Sequence, residues 1–201
     1  EHSYMINEEV KRFDISGIDF DLLRREFAKV KNQNLLMRDL EEIIQLKLDR
    51  MLFTNPERIN YYERYQKIID DYNSEQDRAT IEKTFMDLMD LANKMNQEEQ
   101  RYVREGFKSD EELTLYDMLF RNDLNKNDIK KLKTVAAELL NKIKAKISEY
   151  DHWTDKQETK AAVDNLIRDT LWAELPECYD EASIWGYRQR IYEYVYTHYK
   201  D

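Results

Sequence analysis

The chain contains three glycines and two prolines among its 201 residues. These residue types allow a backbone to turn tightly, to adopt positive φ or to lie close against a phosphate. With so few of them, β-hairpins, glycine-rich phosphate loops and nucleophile elbows are nearly excluded, and none of Gly17, Gly106 or Gly186 has the setting of a phosphate loop. The sequence therefore predicts long helices joined by short polar connections.

The composition supports the same prediction. Hydrophobic residues make up 41% of the chain and charged residues 37%, which is typical of amphipathic helices with hydrated outer faces. The length allows one or two domains and a sizeable core. Tyrosine is unusually common, with 14 copies. Tyrosine rings suit domain seams and partner surfaces, although we favour the alternative that they fill gaps between helices.

The charge and the cysteine content limit the functional classes. With 32 basic and 42 acidic residues the net charge is −10, so phosphate backbones repel the chain on average. Cys178 is the lone cysteine, which excludes internal disulfides and a cysteine-based zinc site and fits a cytoplasmic location. No apolar run reaches membrane-spanning length and no signal peptide is visible. Because the chain begins at Glu1, we expect a fragment or a processed product.

Apolar residues at helical spacing predict a series of helices. The strongest periodicity lies within 127–149, and a clear stripe also follows Ser74. Asn55-Pro56 supplies an N-cap and a first-turn proline, and Gly106 is a candidate C′ glycine. Eight helices are expected. The first begins near Asp19, the second spans 34–53 and the third follows Asn55-Pro56. The next three begin at Ser74, Ser109 and 127, the seventh follows Thr154 and the eighth spans about 183–199.

Two local patterns make sharper predictions. Residues 109–112 and 154–157 both have the capping-box form, in which a Ser or Thr is followed three positions later by Glu or Gln. In the helix after Asn55-Pro56, the residues expected to face the core are Ile59, Tyr62, Tyr65, Ile69 and Tyr72.

The domain organisation follows from the absence of a Gly-, Ser- or Pro-rich linker. Residues 1–17 are expected to form an N-terminal strap from a preceding domain. Residues 18–201 are expected to form one all-α domain, an irregular multi-helix bundle of about seven to eight helices. Two subclusters, 18–106 and 109–201, hinged near 106–109, are compatible with the same pattern.

A search for chemistry finds weak candidates. Asp110-Glu111-Glu112-Leu113 resembles an acidic motor box, but we favour a capped helix start. Glu158-Thr159-Lys160 has the spacing of a nuclease core, yet on a helix these side chains point around the axis rather than converging. His152 lies beside Asp151 and Asp155, without a second histidine one turn away. The sequence therefore predicts no catalytic, cofactor-binding or metal site.

One basic concentration stands out on the 127–149 helix. Lys126, Lys130, Lys133 and Lys144 fall on one stripe away from the apolar face. They could contact the phosphates of passing DNA. Ordinary hydration and i,i+4 pairing form the alternative, which we favour.

Several segments, taken in order, resemble a known family. They are VKNQNL at 30–35, LEEII at 40–44, YQKIIDDYN at 65–73, LMDLANKM at 88–95, SDEEL at 109–113, LYD at 115–117, AAELL at 136–140, DHW at 151–153 and VDNLI at 163–167. Their order and spacing over roughly residues 25–172 resemble the C-terminal helical domain of the restriction (R) subunit of type I restriction-modification enzymes.

The resemblance implies a division of labour. In that family the R subunit is an ATP-dependent DNA translocase and endonuclease whose nuclease site and motor lobes precede this helical part. ATP and Mg²⁺ would then belong to the parent subunit, and this fragment would itself not be an enzyme. Two departures limit the transfer of site residues: His152 separates Asp151 from Trp153, and Leu175-Pro176 is followed by a Tyr-rich helix.

The functional hypotheses follow from these observations. The leading one is a docking module that attaches the R subunit to the methyltransferase and specificity subunits through exposed aromatics: Trp172, Trp185, Tyr192, Tyr196 and Tyr199. The second is a guide that contacts DNA weakly through the lysine stripe, and the third is an unrecognised nuclease using Glu158 and Lys160. The DNA target would be read by a separate specificity subunit.

Overall fold

The computed structural model describes residues 19–29, 33–74 and 78–200, apart from the side chain of Arg78. The strap predicted for 1–17 lies outside the described residues. The described residues form nine α-helices and one 3₁₀ turn and contain no strand, and eight of the helices have seven or more residues. The all-α prediction is confirmed.

The helices agree closely with the predicted segments, except for a short additional helix, α5. Their bounds are α1 Phe20–Phe27, α2 Gln33–Thr54, α3 Ile59–Ser74, α4 Arg78–Glu99, α5 Arg101–Glu105, α6 Asp110–Leu119, α7 Lys126–Ile147, α8 Gln157–Glu174 and α9 Glu181–His198, with the 3₁₀ turn at Pro56–Arg58.

The chain divides into two compact units, unit 1 (Glu1–Arg101) and unit 2 (Tyr102–Asp201). The expectation of one domain over 18–201, with subclusters meeting near 106–109, stays a prediction.

The core of unit 1 is formed by one face of each described helix. Phe27 of α1 stacks on Phe85 of α4, with ring centroids 3.7 Å apart. The stripe predicted after Ser74 is confirmed, because its large apolar residues are buried and Ile81 packs against them. The buried members contributed by α2 and α4 are Met37, Leu40, Ile43, Ile44, Leu48, Met51, Phe85, Leu88, Met89, Leu91, Ala92 and Met95.

The inward face predicted for α3 is partly wrong. Ile59 and Tyr62 are exposed, whereas Arg58 at the end of the 3₁₀ turn is buried and Ile68 joins the core. Asn55 caps that turn through a hydrogen bond from the Glu57 amide. Because Arg58 takes the first inward position, the buried face follows residues 58, 61, 65 and 68, one position away from the predicted phase.

Buried charges connect the helices of unit 1. The Arg58 Nε atom donates to Glu98 Oε1 at 3.2 Å, and the Tyr61 hydroxyl donates to the other oxygen of the same carboxylate at 3.3 Å. Lys47 of α2 is also buried, and its Nζ atom donates to Asn96 Oδ1 and Glu99 Oε2, each at 2.7 Å. A buried charge is tolerated only with such partners, so these contacts hold α2, the 3₁₀ turn and α4 in register.

The core of unit 2 is built from α6, α7, α8 and α9. The periodic face of α7 is buried as predicted, with Ile129 and Ile147 partly buried at its two ends. The indole of Trp153 is completely buried among these helices. The other fully or nearly fully buried apolar residues include Leu113, Leu115, Leu119, Leu132, Ala136, Leu139, Ile143, Val163, Ile167, Leu171, Ile191 and Val195.

The helix ends in unit 2 give mixed outcomes. Gly106 has φ +82° and ends α5, and the amides of Gly106 and Phe107 donate to the carbonyls of Val103 and Tyr102. This pattern is a Schellman motif, so the predicted C′ glycine is confirmed. Ser109 caps α6 as predicted by accepting from the Glu112 amide, although the Glu112 carboxylate accepts from Lys108 N rather than from Ser109 N.

The second predicted capping box, at Thr154, is wrong. Residues 151–155 form turns in which His152 has φ 50°, and α8 begins after Lys156, which provides no side-chain cap. These turns leave Thr154 too far upstream to cap the helix. Thr159, inside the first turn, instead bonds through its hydroxyl to the Trp153 carbonyl at 2.6 Å.

The end of α9 is attached to two other segments of unit 2, the turns at 151–155 and α6. The Trp153 Nε1 atom donates to the Tyr199 carbonyl at 2.6 Å, and the Tyr199 hydroxyl donates to Glu111 Oε1 of α6 at 2.7 Å. Lys144 of α7 donates to the second oxygen of Glu111 at 2.5 Å. Burial acts to raise the pKa of Glu111, but the hydrogen bonds from Lys144 and Tyr199 outweigh it and lower that pKa below its usual value.

Replacing Arg58 by Ala should remove the buried partner of Glu98. We expect the free energy of unfolding to fall by about 1–3 kcal/mol, because the carboxylate loses a charged hydrogen-bond donor but keeps its ion pair with Arg101, whose Nε atom lies 2.9 Å from Glu98 Oε1. Urea unfolding followed by far-UV circular dichroism measures this loss. Arg64→Ala is the matched control, because Arg64 pairs with Asp90 in solvent, and its loss should be about 0–1 kcal/mol. Equal losses for the two variants would contradict the prediction.

Replacing Tyr199 by Phe should remove one of the two donors that lower the pKa of Glu111. We expect a loss of about 0.5–1.5 kcal/mol at pH 7, as for a hydrogen bond to a charge that solvent partly screens, because 37% of the Glu111 side chain is exposed. A lowered carboxyl pKa stabilises the fold above the unfolded value of about 4.5, and this contribution disappears as pH falls through the folded pKa. Denaturation monitored by tryptophan fluorescence should therefore show a difference from wild type that shrinks on acidification.

The control for this experiment is Tyr192→Phe, because the Tyr192 ring is partly buried in the same unit but its hydroxyl makes no hydrogen bond among the described residues. A loss that is independent of pH in the Tyr199 variant, or an equal loss in the control, would contradict the assignment.

Candidate interaction surface

The five aromatic residues predicted to be exposed fall into two groups. Trp172 on α8 and Trp185 on α9 are exposed, with 51% and 43% of their surface accessible. Tyr192, Tyr196 and Tyr199 are partly buried and pack against the core of unit 2. The expectation that all five are exposed is therefore wrong for the three tyrosines, and their role in binding a partner stays a prediction.

Trp153 explains the partial burial of Tyr192 and Tyr196. Its ring meets Tyr192 and Tyr196 edge to face, at centroid distances of 6.3 and 5.9 Å and interplanar angles of 85° and 82°. Such T-shaped contacts are favourable because the positive edge of one ring meets the negative face of another. No packing role was predicted for Trp153 from the sequence. The sequence signal for its burial was an indole isolated between polar residues, because exposing the indole to water costs free energy.

Trp185 is held in place although it is exposed. The guanidinium carbon of Arg188 lies 4.9 Å from the Trp185 ring centroid, within the range of a cation–π contact. Arg188 in turn pairs with Asp164 of α8. The ion pair therefore orients the arginine, and the arginine supports the indole. The Trp185 indole is therefore exposed to solvent and supported by the Arg188 side chain.

Trp172 lies on the opposite side of α8 from the core. The residues at the same angular position on this helix, Glu158, Asn165 and Asp169, are exposed. Asp169 pairs with the neighbouring Arg168. Trp172 is thus an apolar side chain set among polar ones, which is the composition of an interface centre with its rim.

Unit 1 has an exposed apolar corner that sequence analysis missed. Phe53 at the end of α2 and Ile59 and Tyr62 at the start of α3 are exposed around the 3₁₀ turn. Two of these residues were predicted to face the core. The signal that could have found them is the proline-led turn, which changes the phase of the following helix.

The predicted lysine stripe is only partly available. Lys126 and Lys130 are exposed, and within the described residues neither has an ion pair. Lys133 and Lys144 pair with Glu105 and Glu111 at 2.7 and 2.5 Å. These two pairs join residues 28 and 33 positions apart, so they are not the i,i+4 pairs expected as the alternative. Contact of the stripe with DNA stays a prediction.

The weak catalytic candidates lie near the start of α8. Glu158 and Lys160 lie in the first turn of α8, and His152 is exposed in the preceding turns. Within the described parts of the chain, no group of three or more His, Cys, Asp and Glu side chains is arranged to hold a metal ion. Among the helices described, none is long and apolar enough to cross a membrane.

No curated protein and no solved structure matches the chain. Residues 6–181, however, match the family described as type I restriction enzyme HindI endonuclease subunit-like, C-terminal. The match extends beyond both ends of the resemblance identified from the sequence segments, and it stops at the first residue of α9. Because most of its length is matched, the chain belongs to this family of C-terminal regions of type I restriction endonuclease subunits.

Proposed function

We propose that this chain is a docking module, which attaches an ATP-dependent translocase-endonuclease to the methyltransferase and specificity subunits of a type I restriction complex. The observation that carries the proposal is the exposure of Trp172 and Trp185 on two packed helices of unit 2. Family membership supports the type of complex, and the two indoles support the mode of attachment.

Exposed indoles favour an interface for an energetic reason. Tryptophan is enriched among the residues that dominate binding energy and is mostly buried in proteins. Covering the exposed half of one indole would remove roughly 100 Å² of apolar surface from water, or about 2–3 kcal/mol. Two such residues supply enough energy to anchor a standard interface when a polar rim excludes water around them.

The surroundings of the indoles are suited to such a rim. The Arg188–Asp164 and Arg168–Asp169 pairs lie at half-buried or exposed positions beside Trp185 and Trp172. Because these charges already have partners, a docked protein can leave them at the edge of the contact without burying an unpaired ion.

The proposal assigns the chemistry to other parts of a longer subunit. ATP and Mg²⁺ would act in the motor and nuclease parts, and this chain would position them relative to the methyltransferase. The whole complex would work in the cytoplasm, where its DNA is. A DNA-contacting guide is the less favoured alternative, because two of the four lysines it needs are engaged by carboxylates.

Replacing Trp172 and Trp185 together by Ala should release the chain from its partner. The immobilised 201-residue chain is incubated with the cognate methyltransferase–specificity complex, and the retained complex is quantified across micromolar concentrations. We expect at least a tenfold loss of affinity, since each exposed indole contributes on the order of 1–2 kcal/mol even after ordering costs.

The matched control is Val103→Ser, which removes an exposed apolar side chain from the same unit. Far-UV circular dichroism establishes that both variants keep their helices. Failure of the wild-type chain to retain the complex at micromolar concentration, or equal retention of the double variant, would count against docking through these two indoles.

A further inference from the structure

The four lysines of the stripe lie on one flank of α7. At 100° per residue, Lys126, Lys130, Lys133 and Lys144 fall within an arc of about 60°. They extend along the helix for roughly 27 Å, at 1.5 Å per residue. A row of this kind has the geometry to follow phosphates along a nucleic-acid backbone, provided that its ammonium groups are free to bind.

Two lysines of the row, Lys133 and Lys144, are engaged by carboxylates. The first, Lys133, pairs with Glu105 at the end of α5. The Lys133 Nζ atom donates to Glu105 Oε2 at 2.7 Å and to the Glu105 backbone carbonyl at 2.8 Å. The same ammonium lies 5.5 and 5.8 Å from the ring centroids of Phe107 and Tyr116. Lys133 is thereby surrounded on several sides, and only 30% of its side chain is accessible.

The second engaged lysine, Lys144, pairs with Glu111 in the first turn of α6. The Lys144 Nζ atom donates to one carboxylate oxygen at 2.5 Å and lies 5.5 Å from the centroid of the Tyr199 ring. The Tyr199 hydroxyl donates to the other carboxylate oxygen. Glu111 is therefore fixed by a residue outside the pair, so it cannot turn away from Lys144 without losing a second hydrogen bond.

We propose that the Glu105 and Glu111 carboxylates form an autoinhibitory contact, because they occupy the places on the flank of α7 that DNA phosphates would take. Lys126 and Lys130 are then the lysines of this flank that are available to bind DNA. The inference goes beyond docking, because it assigns a latent site for the backbone of duplex DNA. It does not depend on which surface binds the methyltransferase.

The physical basis is competition between two anions for one ammonium. An intramolecular carboxylate has a high effective concentration, whereas a phosphate arrives from solution and must displace it. The displaced carboxylate would then lie beside the phosphate and repel it. Lys133 and Lys144 consequently add nothing to DNA affinity while Glu105 and Glu111 keep their charges.

The first test removes the two charges and keeps their hydrogen-bonding capacity. Glu105→Gln with Glu111→Gln retains an acceptor for Tyr199 and changes the net charge by two. Glu158→Gln with Glu177→Gln is the matched control, because both residues are exposed, lie in unit 2 and have no ion pair among the described residues. Binding of each chain to a fluorescently labelled 20-base-pair duplex is measured by anisotropy between 20 and 200 mM salt.

We expect the first pair of substitutions to bind the duplex more tightly than the control pair. The slope of log affinity against log salt should become more negative by about 2, because two further phosphates are neutralised. Adding Lys133→Gln and Lys144→Gln should abolish the gain. Equal binding by the two pairs, including binding by neither, would overturn the proposal, as would a gain that survives loss of both lysines.

The second test leaves Glu105 and Glu111 in place and therefore avoids any refolding around them. Lys126→Gln with Lys130→Gln should remove the residual low-salt binding of the wild-type chain, whereas Lys133→Gln with Lys144→Gln should leave it within twofold. Equal weakening by both pairs would show that the engaged lysines already bind phosphate, which contradicts the proposal. If the wild-type chain binds no duplex at 20 mM salt, the comparison of the two glutamate pairs decides.

Discussion

Helices from a chain in which 37% of residues are charged can pack only if each charge brought to a helix seam meets a partner. Unit 1 satisfies this condition with Arg58 on Glu98 and with Lys47 on Asn96 and Glu99. Unit 2 satisfies it at the α8–α9 seam with Arg188 on Asp164. The apolar stripes provide the driving force for folding, but these pairs determine which helix faces can meet.

The same requirement connects the stability of unit 2 with the charge of its surface. Glu111 accepts from Tyr199 and Lys144, so it attaches the end of α9 to α6 while it engages a lysine of the predicted DNA-contacting stripe. A carboxylate that stabilises the unit thereby neutralises a cation at its surface, since 44% of the Lys144 side chain is accessible. The proposed docking through indoles and the proposed restraint of the lysine flank are consistent with one another, since neither requires this chain to hold DNA by itself.

The aromatic residues of unit 2 fall into two groups that the sequence alone does not distinguish and that packing separates. Tyr192 and Tyr196 turn towards Trp153 and form part of the core, whereas Trp172 and Trp185 stay exposed on α8 and α9. The rings around Trp153 favour the expectation that tyrosines fill gaps between helices. The exposed indoles favour a partner surface. The helix that carries Trp185 and these tyrosines also lies almost entirely beyond the residues matched by the family.

Local patterns in the sequence were sufficient to determine the helical class, most helix positions and several helix ends. The scarcity of glycine and proline, the periodicity of α4 and α7, the start of α1 near Asp19, the cap at Ser109 and the glycine after α5 depend on residues within a few positions of one another. The order of short segments was also sufficient to indicate the family, because it too is a property of the chain itself.

The tertiary structure alone decided the phase of α3, the burial of three tyrosines and the engagement of two lysines. Arg58 turns inward because it pairs with Glu98, which lies 40 positions away in the sequence. Lys144 is engaged because it pairs with Glu111, which lies 33 positions away. The free energy of a buried pair or a ring contact depends on groups that meet only after the chain has folded. Such contacts leave no periodic trace in a linear sequence, so the candidate surfaces could be recognised as residue types but not as geometry.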